Sequence, residues 1–317
     1  MTTPCPDTVE INEVGPRDGL QIEPHFVPTD EKVRFIDALS ACGFARIEVT
    51  SFTSPRAIPA LADAQEVMAR IVRAPGTIYT ALIPNVRGLE RALEVGIDEL
   101  NLVMSASETH NRANLRMTRT QSCAQLLDVI ARAQTAGKPC NVSLSTAFGC
   151  PFDGDVPGED VLELVTRFAQ AGAVGVTLCD TTGMAYPTQV AALCARVQDA
   201  HPELALTLHT HNTRGLALAN VTAAWQQGVT RFDAAVGGLG GCPYAPGASG
   251  NVNTEEVVHL FDAMGVRTGV DLAAVLQIVS ALPAVVQRAV PSSLCTAGPR
   301  LTRHRAPDWM AAHFADG

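Results

Sequence analysis

His209 and His211 stand two apart in the run A-L-T-L-H-T-H, and on a β-strand such side chains share a face. Both imidazoles can therefore point at one ion. Asp18 and Asn251 would add a carboxylate and an amide oxygen, giving a mixed N/O site that suits Mg2+ or Mn2+ and, less typically, Zn2+. Such a site leaves open positions for substrate oxygens. Arg17 precedes Asp18 and offers a permanent cation, while Glu48 in I-E-V-T is its natural carboxylate partner, a pairing that reads equally as an ordinary ion pair between neighbouring strands.

Cys242 lies in V-G-G-L-G-G-C-P-Y-A-P-G-A-S-G-N (236–251), whose six glycines and two prolines exclude a helix or a long strand interior. Gly237, Gly238, Gly240 and Gly241 let backbone approach a ligand and move, so the segment reads as a mobile lid carrying a thiol. A buried, inert thiol in an awkward turn is the other reading.

These residues are useful only if the chain places them together, and the pattern shows how. V-E-I-N-E-V (9–14) is strand-like and stops at Gly15-Pro16. Further strand-like runs fall at 47–50, 78–83, 99–104, 141–146, 175–179, 205–210 and 231–236. Amphipathic helical runs follow each: one begins at Thr29, others span 62–73, 86–95, 119–136, 158–171, 187–199 and 215–227, and the last follows Thr254. Eight such alternations predict an α/β chain folded as a (β/α)8 TIM barrel over residues 8–290, with an additional helix near 271–289 and an irregular tail over 291–317. An open doubly wound sheet is disfavoured by the lack of a G-x-G-x-x-G fingerprint after the first strand. In a barrel the chemistry sits where strands end, which gathers Arg17, Asp18, Glu48, Thr50, Ser51, Thr177, Asp180, His209 and His211 with Cys242 and Asn251.

Composition narrows the partners. At 317 residues and 47% hydrophobic the chain can bury one large core. A net charge of −9 and a pI near 5.3 argue against nucleic acid. Nine cysteines without a C-x-x-C pair fit a reducing compartment, so a cytoplasmic location is expected. No run is apolar enough to cross a membrane, and the terminal residues M-T-T-P-C-P-D-T-V-E and Ala-Asp-Gly set the expectation of neither a signal peptide nor a peroxisomal address.

G-P-R-D-G-L-Q (15–21), I-E-V-T-S-F (47–52), F-G-C-P (148–151), H-T-H-N-T-R-G (209–215) and G-L-G-G-C-P-Y-A-P-G-A-S-G-N (238–251) together resemble the 3-hydroxy-3-methylglutaryl-CoA lyase family. The resemblance spans residues 9–290 in the family's order, and the glycine loop is its most specific part. It implies cleavage of 3-hydroxy-3-methylglutaryl-CoA to acetyl-CoA and acetoacetate, with Asp18, His209, His211 and Asn251 holding the metal. It further implies that Arg17 is catalytic and oriented by Glu48, that Cys242 is the loop acid or base, and that Asp180 joins the catalytic set. Gln21, Ser51 and Thr177 would meet the acyl-CoA substrate beside Arg17, and a homodimer is expected.

Departures from the family pattern occur at Ile22, His110, Thr177, Asn212 and Arg214, of which His110 and Arg214 also read as solvated loop polarity. They leave the proposed ligands untouched but put the acyl group in question. Citramalyl-CoA or an isoprenoid-derived homologue is the nearest alternative. A condensing isopropylmalate or homocitrate synthase-like enzyme, a hydroxy-keto-acid aldolase and a non-catalytic binding barrel are the remaining readings. Arg56, Arg87 and Arg112 could each meet CoA phosphates or only water.

Overall fold

The computed structural model describes residues 5–241, 250–307 and 310. Eight parallel strands close on themselves in sequence order: β1 (Glu10–Glu13), β2 (Arg46–Ser51), β3 (Ile78–Leu82), β4 (Glu99–Ser105), β5 (Cys140–Ser145), β6 (Gly175–Asp180), β7 (Ala205–Thr210) and β8 (Arg231–Ala234). The (β/α)8 barrel expected from the alternation is thus present. Its surrounding helices are α1 (Thr29–Ser40), α2 (Ala64–Arg70), α3 (Val86–Glu94), α4 (Glu108–Leu115), α5 (Arg119–Thr135), α6 (Gly158–Gln170), α7 (Pro187–Ala200), α8 (Ala217–Gln226) and α9 (Thr254–Ala263). The additional helix is α10 (Leu272–Val286), and a short α11 (Ser293–Ala297) interrupts the tail.

Two features depart from the sequence reading. The stretch 105–114 contains α4, started by Ser107, whose side chain accepts from the His110 N–H. Helix α2 is shorter than expected at both ends: residues 62–63 stay in a turn after the 3-10 segment Pro59–Leu61, and Ile71 is already extended (ψ 144°).

The strand alternation separates two environments. Ile47, Leu100, Val142, Val176, Leu208 and Phe232 face outward and are fully or almost fully buried against the helices, so the apolar core is the ring between strands and helices. The alternate positions, including Asn12, Glu48, Asn101, Thr177 and Asp233, line a small polar cavity inside the barrel. There Asn101 Oδ1 accepts from Asn141 Nδ2 at 3.0 Å and Ser143 Oγ at 2.8 Å. The polar interior is tolerable because its groups partner one another, and it connects directly to the strand ends.

Candidate active site

Three chain segments bring the charged groups together. After β1 the backbone folds into a π-helical turn, Gly15–Gly19, in which the N–H groups of Arg17, Asp18 and Gly19 all converge on the Val14 carbonyl. That tight turn aims consecutive Arg17 and Asp18 over the barrel mouth. Beyond β7, His211 bridges Asn251, with Val252 N–H donating to Thr210 O and Asn212 N–H to Gly250 O, both at 3.0 Å. The returning strand segment delivers Asn251 beside the histidines. Glycine is needed here: a Cβ on Gly240 (φ 98°) would come within 2.6 Å of Asn251 Nδ2, and one on Gly250 (φ 89°) within 2.3 Å of Gly238 O.

The ligand atoms of Asp18, His209 and His211 lie within 4.8 Å of one another, the one such group of His, Cys, Asp or Glu among the described residues. His209 Nε2 and His211 Nε2 face each other at 3.2 Å. Asn251 Nδ2 donates to Asp18 Oδ2 at 2.7 Å and to Leu239 O at 2.9 Å, while its Oδ1 is buried with no hydrogen-bond partner. An orphaned amide oxygen beside two facing imidazole nitrogens and a carboxylate fits a divalent cation. Electrostatics favour the cation-ready state at two of the three groups. At His209 burial is outweighed by Asp233, which raises the imidazole, so a cation would have to displace a proton there. Burial disfavours ionised Asp18, but Arg17, His209 and His211 outweigh it and hold the carboxyl at about 2. Burial, helped by His209, depresses His211 to about 4. Both are then in the state a cation requires, carboxylate and neutral imidazole.

Arg17 is nine-tenths buried and held at all three nitrogens, with one further N–H on each of Nη1 and Nη2. Nε and Nη2 meet Glu48 Oε2 at 2.7 and 2.6 Å, and Nη1 meets Asp18 Oδ1 at 2.6 Å. Burial alone would lower its pKa, yet Glu48 and Asp18 raise it above the ordinary arginine value. Glu48 Oε1 in turn accepts from Asn101 Nδ2 at 2.8 Å.

The remaining expected site residues lie around this centre. Ser51 Oγ donates to Thr53 Oγ1 at 2.8 Å and accepts from the Thr53 N–H, fixing the exit of β2. Gln21 follows the Arg17 turn with a buried, unpartnered Oε1. Thr177 sits lower in the barrel, accepting from Asn141 Nδ2 at 2.9 Å, while Cys179 is level with His209. Asp180 has the outward parity of Leu178. Its Oδ1 accepts from the N–H groups of Met184 and Ala185 at 2.7 and 3.1 Å, and burial pushes its carboxyl up to about 6. Cys242 lies outside the described residues. Arg214 is bonded rather than only solvated, Nη1 donating to Thr182 O and Gly183 O at 3.0 and 2.8 Å.

Sequence reading overlooked Asp233, Asn12, Asn101 and Glu13. Asp233 Oδ2 lies 3.3 Å from His209 Nδ1, and its Oδ1 accepts from Asn12 Nδ2 at 2.8 Å. Period-two alternation through β1, β4 and β8 carries the signal for the first three.

Glu13, fully buried, accepts from the N–H groups of Gly15 and Val236 at 2.7 and 3.1 Å and from Thr254 Oγ1 at 2.6 Å. Burial nonetheless raises its carboxyl from 4.5 to about 8. A raised carboxyl takes up a proton on folding, so its contribution is full below 4.5 and shrinks as pH climbs towards about 8. Glu13→Gln cannot titrate. Between about pH 5 and 8 the Tm of the wild type should therefore fall relative to the variant by at least ~2 °C. Parallel melting curves would show that Glu13 is ionised throughout.

With this geometry established, similarity to known proteins is informative. The model of the family described as HMGL-like matches residues 8–282. The chain belongs to the HMGL-like family. It is similar to a hydroxymethylglutaryl-CoA lyase of Bacillus subtilis, 45% identical over 91% of this chain and 97% of that one. It is also similar to an (R)-citramalyl-CoA lyase of Chloroflexus aurantiacus, 41% identical over 92% and 96% of the two chains. The solved structure of an HMG-CoA lyase from Acinetobacter baumannii in complex with coenzyme A and 3-methylmalate matches with a TM-score of 0.92 at 49% identity, covering 96% of this chain and 100% of that one. This HMGL-like protein is accordingly a carbon–carbon lyase. No helix among its described residues is long and apolar enough to cross a membrane.

Proposed function

We propose that this HMGL-like lyase cleaves 3-hydroxy-3-methylglutaryl-CoA to acetyl-CoA and acetoacetate, using Mg2+ or Mn2+ held by Asp18, His209, His211 and Asn251. The observation that carries the reading is the convergence of those ligand atoms, with the orphaned Asn251 Oδ1, beside a buried guanidinium. A divalent cation bound there supplies a Lewis acid for the substrate's tertiary hydroxyl.

The chain's own residues account for the rest. The tertiary hydroxyl gives up its proton to a base and its oxygen becomes the ketone as the carbon–carbon bond breaks; the electron pair of that bond moves onto the thioester, and charge builds on the thioester oxygen. Arg17 is fixed in advance by Glu48 and Asp18, so it can meet that charge without reorganising. Glu48 spends both oxygens on Arg17 and Asn101, which makes it a holder of the guanidinium rather than a proton carrier. Asp180, through the Met184 and Ala185 N–H groups, shapes the loop after β6. Cys242 is assigned to protonate the nascent acetyl-CoA carbanion, a task suited to a thiol of ordinary pKa about 8.5. Gln21, Ser51 and Thr177 are assigned to the substrate side. We place the enzyme in the cytoplasm as a homodimer, a reading in keeping with eight described cysteines that are all free thiols.

The similarity to an (R)-citramalyl-CoA lyase supports one second reading, a smaller branched 3-hydroxyacyl-CoA. Acetyl-CoA release from 3-hydroxy-3-methylglutaryl-CoA, (R)-citramalyl-CoA and a longer isoprenoid-derived homologue, each with Mg2+, separates the two. The highest kcat/KM is expected with the first ester. A clear preference for the second transfers the assignment, and no acetyl-CoA from any of them overturns it.

A further inference from the structure

Asp233 occupies a barrel-facing position on β8, in register with His209 on β7 and with Asn12 on β1. Three neighbouring strands thus set Asn12, Asp233 and His209 in one row, with one Asp233 oxygen 3.3 Å from His209 Nδ1 and the other accepting from Asn12 Nδ2 at 2.8 Å. An ionised carboxylate only accepts, so it demands a proton on whichever nitrogen faces it.

We propose that Asp233, steadied by Asn12, is a positioning residue that holds His209 in the tautomer protonated at Nδ1, so that Nε2 is left as a lone pair facing His211 Nε2 and Asp18. The proposal rests on the metal-site reading above and deepens it. What makes the tautomer matter is the competing arrangement. His209 Nε2 is only 3.2 Å from His211 Nε2, and with its proton there His209 would donate to His211, closing the two imidazoles on each other. That closed pair occupies the nitrogen each histidine offers to a cation. Asp233 tips the choice towards the open pair because only the Nδ1 tautomer gives its Oδ2 a donor. His209, Asn12 and the Asp233 side chain are 7%, 8% and 11% exposed, so bulk water does little to replace this contact.

Two variants test the idea, read by Mn2+ affinity from electron paramagnetic resonance and, on metal-free protein in alkaline buffer, by 15N NMR of the His209 ring. Asp233→Ala removes the acceptor and is expected to weaken Mn2+ binding by about 10–100-fold and to move the ring proton to Nε2. The exchange Asn12→Asp with Asp233→Asn keeps side-chain size and total charge. In it the new carboxylate takes the amide NH2 and turns the amide oxygen towards His209 Nδ1, so affinity and the Nδ1 proton should both return. Wild-type affinity in Asp233→Ala overturns the proposal, as does an exchange variant that is folded yet keeps the proton on Nε2. The exchange is close to isosteric and keeps the test decisive should Asp233→Ala fail to fold. A wild type that binds no Mn2+ would overturn the metal-site reading instead, and the ring-proton position in metal-free protein would still decide the tautomer.

Discussion

Removing divalent ions with a chelator is expected to abolish turnover by at least about 10³-fold, and Mg2+ or Mn2+ should restore it. The neighbouring groups are poor replacements for the cation: Asn251 Nδ2 is committed to Asp18 and Leu239, His211 is held neutral, His209 turns Nδ1 to Asp233, and Arg17 is assigned to the thioester. The fold should survive the treatment, because β7, the Gly15–Gly19 turn and the Gly250–Val252 segment are anchored by backbone hydrogen bonds. Unchanged far-ultraviolet circular dichroism with lost activity is the expected pair of results. Asp18→Ala should not be rescued by added metal at the wild-type concentration. Full turnover in demonstrably metal-free protein would sink the assignment.

Arg17→Met should lower kcat by about 10²–10³-fold with a much smaller change in KM, since the interaction is made with charge that develops only as the bond breaks. Lysine is not a substitute. One ammonium cannot reproduce the fork that reaches Glu48 through Nε and Nη2 and Asp18 through Nη1. The variant also strands Glu48, whose carboxyl burial already raises, so some thermal stability should go with the activity. Steady-state kinetics together with a melting curve separates the two losses. If kcat is unchanged in a folded Arg17→Met protein, the guanidinium takes no part in the chemistry.

The barrel was legible because each strand is a short apolar run and each helix an amphipathic one, a rhythm that survives ignorance of every contact. The grouping of Asp18, His209 and His211 was legible too, since side chains two apart on a strand share a face and Asp18 follows a strand end. What escaped notice lies deeper. Asn12, Asn101 and Asp233 sit within strands rather than at their ends, and a search confined to strand ends passes over them. Their meaning depends on cross-strand register, Asn12 with Asp233 and Asp233 with His209, which no local pattern specifies. Asp180 sits at a strand end as the sequence search requires, and the structure adds that its Oδ1 also holds the loop after β6 through the Met184 and Ala185 N–H groups. Helix α4 was hidden because S-A-S-E-T-H-N-R-A-N is polar enough to pass for a loop, and only its Ser107 cap marks a start.

Glu13 bears on how the molecule comes to be made. Its three donors are Gly15, two residues away, and Val236 and Thr254, which are 223 and 241 residues away. During synthesis on the ribosome the first strand must therefore wait, with an acid it cannot yet shelter, until nearly the whole polypeptide has emerged. Ring closure is the last event open to this chain and a slow one, because so distant a pairing carries a large entropic penalty. A nascent chain stalled before residue 254 would lack the Thr254 hydroxyl that completes the shelter of Glu13, so the first strand is finished only by a residue near the other end of the barrel.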